Sequence, residues 1–203
     1  MNRQYGWLEK CRRSSRLGLI AGVVVITGCV SQPLVGRYAA PNLTCCSSMA
    51  EFAFRPIPVG QDVDFSITST EPTFTFSGQP EHFVAFKVPD RFVVATIQVK
   101  SYLSTDFLPR ATAVIPDFIY LDASYRVIGK SAVTHLQEAG GFWGGAFSGR
   151  TQAPSTTRYI VVVAGDGSKG IPVYHSENGM AHPIPAAALG KLALRLFGES
   201  VTK

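Results

Sequence analysis

From residue 51 onward the chain alternates short apolar runs with turn residues, a pattern of β-strands rather than helices. Apolar and polar positions alternate in Asp64-Phe65-Ser66-Ile67-Thr68 and in Thr73-Phe74-Thr75-Phe76, so each predicts a strand with one face inward. Ser77-Gly78-Gln79-Pro80 predicts a turn, and residues 82–88 (HFVAFKV) a strand closed by Pro89-Asp90. Residues 92–99 (FVVATIQV) are rich in β-branched side chains and predict a central strand. Residues 111–121 (ATAVIPDFIYL) predict two short strands or one bulged strand, because Pro116 has no N–H to give to a ladder. Asp122-Ala123-Ser124 is a turn before Tyr125-Arg126-Val127-Ile128, and residues 158–164 (RYIVVVA) are the strongest buried-strand candidate. In residues 190–197 (GKLALRLF), leucines at every second position predict a closing strand. Residues 131–139 are the one segment with helical character. About eight short strands at spacings of roughly ten residues predict an all-β fold, an antiparallel β-sandwich or jelly-roll-like single domain. Two turn-rich stretches, residues 140–149 (GGFWGGAFSG) and 165–185, are its long loops.

The N-terminal region follows a different rule. Arg3, Lys10, Arg12, Arg13 and Arg16 precede an apolar run at residues 17–27, the layout of an export signal. The run is shorter than the roughly 20 residues a membrane-spanning helix needs. It ends in Ile26-Thr27-Gly28-Cys29, which resembles the lipobox of bacterial lipoproteins: an aliphatic residue, two small ones, then Cys. That resemblance implies cleavage before Cys29, a diacylglycerol on its thiol and a fatty acyl group such as palmitate on its amine. Val30, where an Asp would favour inner-membrane retention in enterobacterial lipoproteins, directs the expectation to an outer-membrane anchor facing the periplasm. The chain then divides into a signal peptide (residues 1–28), a lipidated N-terminus and linker (29–50), a β-sandwich domain (51–198) and a tail (199–203). A linker of about 20 residues would hold the domain clear of the headgroups.

This division changes what the charge means. The chain has 19 basic and 14 acidic residues, and residues 1–28 hold five of the basic ones and Glu9, leaving 14 basic and 13 acidic in the mature chain. The basic balance belongs to the signal, which removes the argument for nucleic acid as a partner. Cys11 leaves with the signal and Cys29 carries lipid, so Cys45-Cys46 is the remaining pair. Adjacent Cα atoms lie about 3.8 Å apart, below the usual disulfide separation. A vicinal disulfide, pairing with another chain, and buried thiols are all open to them in an oxidising compartment. His82, His135, His175 and His182 have no ligand-like spacing, so no metal or other cofactor is expected.

Several runs also resemble a known family. They are Phe74-Thr75-Phe76-Ser77-Gly78 followed by residues 82–89 (HFVAFKVP), then Ile97-Gln98-Val99-Lys100-Ser101, residues 114–122 (VIPDFIYLD), residues 158–163 (RYIVVV), and Pro185 with residues 190–194 (GKLAL). In this order, over about residues 45–197, they resemble the maltose operon periplasmic protein (MalM) family. The resemblance implies a β-rich periplasmic protein linked to maltodextrin uptake. It brings no catalytic residues with it.

Phe142-Trp143, flanked by glycines, is the candidate contact for a ligand or partner, since an exposed aromatic face can stack on a sugar ring. The same pair could instead fold back over the edge of the sandwich. Gly165-Asp166-Gly167-Ser168-Lys169-Gly170 lacks the order of a phosphate loop and predicts a hairpin turn. Ser131 or Ser148 could be matched with His135 and an Asp on paper, but no serine lies in a nucleophile elbow, and Glu138 reads as a solvated neighbour of His135. Nor does any pair of carboxylates stand out for glycoside hydrolysis. The expectation is a non-catalytic, periplasm-facing membrane lipoprotein acting as an accessory binding protein, with an envelope protein or an oligosaccharide as partner. The alternatives are a carbohydrate-binding module using Trp143, and a structural component of a larger cell-envelope assembly.

Overall fold

A computed structural model describes residues 45–76, 78–133, 135–140, 144–165 and 171–200. The strands are β1 (Arg55–Pro56), β2 (Val63–Ile67), β3 (Thr73–Thr75), β4 (Pro80–Lys87), β5 (Phe92–Tyr102), β6 (Pro116–Leu121), β7 (Val127–Ala132), β8 (Gln137–Glu138), β9 (Ala146–Gln152), β10 (Tyr159–Ala164), β11 (Val173–His175), β12 (Ala181–Pro183) and β13 (Gly190–Ser200). They form a sandwich of two main sheets. The first has the order β1-β4-β10-β6-β7, with β3 also on β4; the second has the order β2-β13-β5-β9-β8. β11 and β12 make a separate hairpin. All pairings are antiparallel except the short β1–β4 contact.

The main core lies between the sheets. Val84, Phe86, Phe118, Tyr120, Ile160 and Val162 of the first sheet meet Phe65, Ile67, Ile97, Val99, Leu192, Leu194 and Leu196 of the second. The alternating leucines of β13 therefore do point inward, as their spacing predicts. Val94 and Ile97 both reach this core although they are three residues apart. The β5–β13 register shifts beside Phe197 and Gly198, and the extra residue, Ala95, restores the inward face. Gly198 sits at this shift because a Cβ there would lie 1.9 Å from the Val93 carbonyl oxygen.

The continuous apolar runs of β4, β6 and β10 have a second explanation. Their other face carries Phe83, Ala85, Ile119, Leu121, Val161 and Val163, and it is also buried. The cover is an N-terminal strap containing Cys46, Met49, Phe52 and Phe54, joined by Phe74 and Phe76. Phe52 is 5% exposed and its ring centroid is 4.2 Å from that of Phe83. A sheet covered on both faces needs unbroken apolar strands, which is the composition seen.

Three expectations shift at the edges. The linker predicted to run to residue 50 gives way to the fold by Cys45, whose N–H donates to the Thr73 carbonyl at 2.9 Å. The segment with helical character, residues 131–139, instead contains the end of β7 and the whole of β8. Pairing of β7 with β6, and a Tyr120–Ser131 hydroxyl contact at 2.6 Å, outweigh a weak local helix preference. The predicted tail from residue 199 is partly strand, with Glu199 opposite Val93 and Ser200 opposite Phe92. Pro116 opens β6, a position where its missing N–H costs least.

Candidate functional site

The outer face of the first sheet is covered by the strap only in part. At the end where β6, β7 and β10 meet, it opens into a cleft of about 340 Å³, the size of a small-ligand site. Ile119, Val163 and Phe76, which belong to the same apolar layer as the strap, line it, so the cleft continues the covered groove. Its polar groups are Glu81, Asp117 and Lys130.

Register brings these distant residues together. On β6, residues 117, 119 and 121 share the outer face, because Phe118 and Tyr120 point to the main core. Asp117 lies opposite Ala132, and Ile119 opposite Lys130. Asp117 and Lys130 are therefore diagonal neighbours on one face, about 7–8 Å apart and within the reach of a lysine side chain. On the other side, Val163 pairs with both Asp117 and Phe83, and Glu81 is two residues before Phe83 on the same face of β4. Gly165 closes this row. Its N–H donates to the Ile115 carbonyl at 2.7 Å, and a Cβ there would come within 3.1 Å of the Asp117 carboxyl carbon. A side chain at Gly165 would push the Asp117 carboxylate out of place.

The wall formed by β7 is firmly held. Ser131 faces the interior, where it meets the Tyr120 hydroxyl at 2.6 Å and accepts from Thr151 of the opposite sheet at 2.8 Å. Burial pushes the Tyr120 phenol above its ordinary value, with hydrogen bonds from Ser131 and Thr151 acting the other way. At the start of β7, Asp122 Oδ1 accepts from the Ser124 and Arg126 N–H groups at 2.8 and 3.0 Å, and its Oδ2 accepts from Arg126 Nε at 3.1 Å. The Arg126 N–H lowers the pKa of this exposed carboxyl most. Within this turn Tyr125 has φ +61°, a left-handed conformation that costs a bulky residue about 1–2 kcal/mol. Its ring stacks on Tyr159 at 4.7 Å and on Phe54 of the strap at 5.8 Å.

The residues singled out from sequence lie elsewhere. Cys29 and Phe142-Trp143 fall outside the described residues, as do residues 166–170 of the glycine loop. Cys45 and Cys46 are joined to one another by a disulfide, with Cα atoms 3.8 Å apart, and Cys46 packs on the strap-covered face. Ser131 faces inward, whereas Ser148 accepts from Gln98 on the outer face of the second sheet, so no shared triad forms with His135. Glu138 pairs with His175 on β11, 37 residues away, rather than with His135. The His175 hydrogen bond is the main cause lowering the Glu138 pKa.

Sequence reasoning missed the cleft because its polar residues come from three separate strands and only the register aligns them. The available signal was Asp117, a charged position inside the otherwise apolar segment that becomes β6 of the sheet buried on both faces. Compared with known proteins, the sequence matches no family model and no curated protein.

Proposed function

We propose that this is a non-catalytic, periplasm-facing membrane lipoprotein, anchored through Cys29, that acts as an accessory binding protein. The cleft is its contact site. The observation carrying this reading is a pocket with an apolar floor and a mixed carboxylate and ammonium rim, built on a rigid sheet. Such a lining orients a ligand through a few charged hydrogen bonds and buries an apolar part beneath them. The lipobox-like Ile26-Thr27-Gly28-Cys29 and the basic segment before it support the anchor. The resemblance to the maltose operon periplasmic protein family links the binding role to maltodextrin uptake.

Two experiments test the proposal. Palmitate labelling of cells making the full chain should mark the protein and be lost in Cys29→Ser; equal labelling of both forms would remove the anchor. Calorimetric titration of the purified full chain in detergent with maltodextrins of several lengths should give saturable heat that falls in Asp117→Asn. Heat that is unchanged in that variant would place sugar binding outside the cleft. An absence of heat would remove the link to maltodextrin.

A further inference from the structure

Cys45 and Cys46 are the only cysteines among the described residues, and they are bonded to each other. A disulfide stabilises a fold mainly by taking freedom from the unfolded chain, and the gain grows with the loop it closes. This one joins adjacent residues, the shortest loop a chain allows, so that gain is nearly absent. The strap also has other fastenings. Phe52 packs among Phe74, Phe76 and Phe83, and the Cys45 N–H donates to the Thr73 carbonyl at 2.9 Å. The Glu51 carboxylate accepts from the Ser47 N–H at 3.0 Å and the Ser48 hydroxyl at 3.4 Å, and the Phe52 N–H donates to the Met49 carbonyl at 3.3 Å. None of these contacts passes through sulfur, so the strap keeps its hold on the sheet without the S–S bond.

The pair instead combines access with an acceptor for its reduced form. Cys45 is exposed, whereas Cys46 is half-buried with its side chain on the apolar layer of the first sheet. A thiolate arriving from solvent meets Cys45 first, and exchange at a disulfide is governed by such access. Adjacency also keeps the Cα atoms 3.8 Å apart, below the range of ordinary bridges, and bridges outside that range are the more easily reduced ones. On the inner side, Cys46 Sγ lies 3.8 Å from the Glu51 carbonyl oxygen. A disulfide sulfur has no proton to place there, and a thiol does. Cys46 can use this acceptor only when reduced.

We infer that Cys45–Cys46 is a thiol–disulfide exchange site that accepts two electrons from a dithiol while the domain stays folded. One thiolate of the dithiol attacks Cys45 Sγ. The bond to Cys46 breaks, and its electron pair leaves on Cys46, which takes up a proton. The second thiolate then attacks the dithiol's own sulfur in the mixed disulfide and releases Cys45, which takes up the other proton. The dithiol ends as a disulfide, and Cys45 and Cys46 end as two thiols. This activity goes beyond the binding role proposed above and does not depend on it.

The test uses the purified full chain in detergent, with dithiothreitol as the dithiol and iodoacetamide to trap thiols. Peptide mapping should find Cys45 and Cys46 alkylated after treatment and blocked before it. Reduction of the folded protein should run within about tenfold of its rate in guanidinium, as access predicts. The thermal unfolding midpoints of the reduced protein and of a Cys45→Ser/Cys46→Ser variant should lie within about 2 °C of the oxidised parent, less than one ordinary contact contributes. With glutathione in place of dithiothreitol, trapping midway should leave glutathione on Cys45 and the alkyl group on Cys46. Reduction only after unfolding would overturn the inference, as would a midpoint that falls by several degrees in the reduced protein or the variant, since either marks a bond that holds the fold. Glutathione found on Cys46 would overturn the assigned order of attack.

Discussion

Replacing Phe52 by Ala removes the side chain that fastens the strap to the first sheet. The ring lies 4.2 Å from Phe83, 5.0 Å from Phe74, 6.0 Å from Phe54 and 6.1 Å from Phe76, measured between centroids. Truncating a buried phenylalanine costs about 3–5 kcal/mol through lost transfer energy and the cavity left behind. The strap is a thin layer that can collapse into part of that space, so we expect the lower end, about 3 kcal/mol. At a urea slope of about 2 kcal/mol/M, the midpoint should fall by about 1.5 M with the slope unchanged. Urea titration followed by far-ultraviolet circular dichroism measures both quantities. Phe54→Ala, at a half-buried position, should move the midpoint less. A shift below about 0.3 M for Phe52→Ala would refute the reasoning, because it would mean that the strap leaves the sheet before the cooperative transition.

Gly198→Ala places a methyl group 1.9 Å from the Val93 carbonyl oxygen at the β5–β13 bulge, and should cost about 2 kcal/mol or more in thermal unfolding experiments. An unchanged midpoint would show that the bulge can move aside. Asp62 accepts from Lys100 at 2.9 Å and Arg195 at 2.8 Å, and the Lys100 hydrogen bond is the leading cause that holds its pKa below the ordinary 3.8. A depressed carboxyl stabilises the fold above its unfolded pKa and loses that contribution as pH falls through the folded one. Asp62→Asn should therefore be less stable than the parent near neutrality, with the gap closing below about pH 4; a gap independent of pH would refute the ion cluster. The Tyr159 phenol is pushed up to about 12, first by its hydrogen bond with Tyr125 at 3.2 Å and then by burial. Its stabilising effect is complete below the unfolded value of about 10 and fades as pH rises toward the folded one. Tyr125→Phe should return Tyr159 ionisation toward 10, read from phenolate absorbance, and no movement would place the cause elsewhere.

What the sequence made legible was the local part of the fold. Leucines 192, 194 and 196, the β-branched run at 92–99 and the apolar run at 158–164 each carry their own periodicity, and each is a strand. The strap was not legible, because Phe52 and Phe54 belong to no strand and their burial depends on residues as distant as Val161. Residues 131–139 were misleading since their pairing partner, β6, lies outside the segment. Glu138 was matched with a neighbour when its partner, His175, sits on a hairpin added later in the chain. Of Cys29, Cys45, Cys46, Phe142 and Trp143, only the two adjacent cysteines lie within the described structure, and of the three states open to them from sequence the disulfide is the one formed. The cleft needed three strand registers at once, and no single stretch of residues encodes those.

The position of β13 has a consequence for how the domain comes into being. It is the last strand among the described residues, yet it lies between β2 and β5 rather than at an edge. Its pairing with β2 joins Leu192 to Phe65, nearly the whole length of the domain apart. Closing so long a loop is slow, and until it closes the second sheet lacks its middle. A chain emerging from its N-terminus would thus hold the inward faces of β2 and β5 without their shared neighbour until the final strand arrives. Pairing of residues 190–200 with both β2 and β5 is what completes the second sheet, so loss of this strand would take away the middle of that sheet.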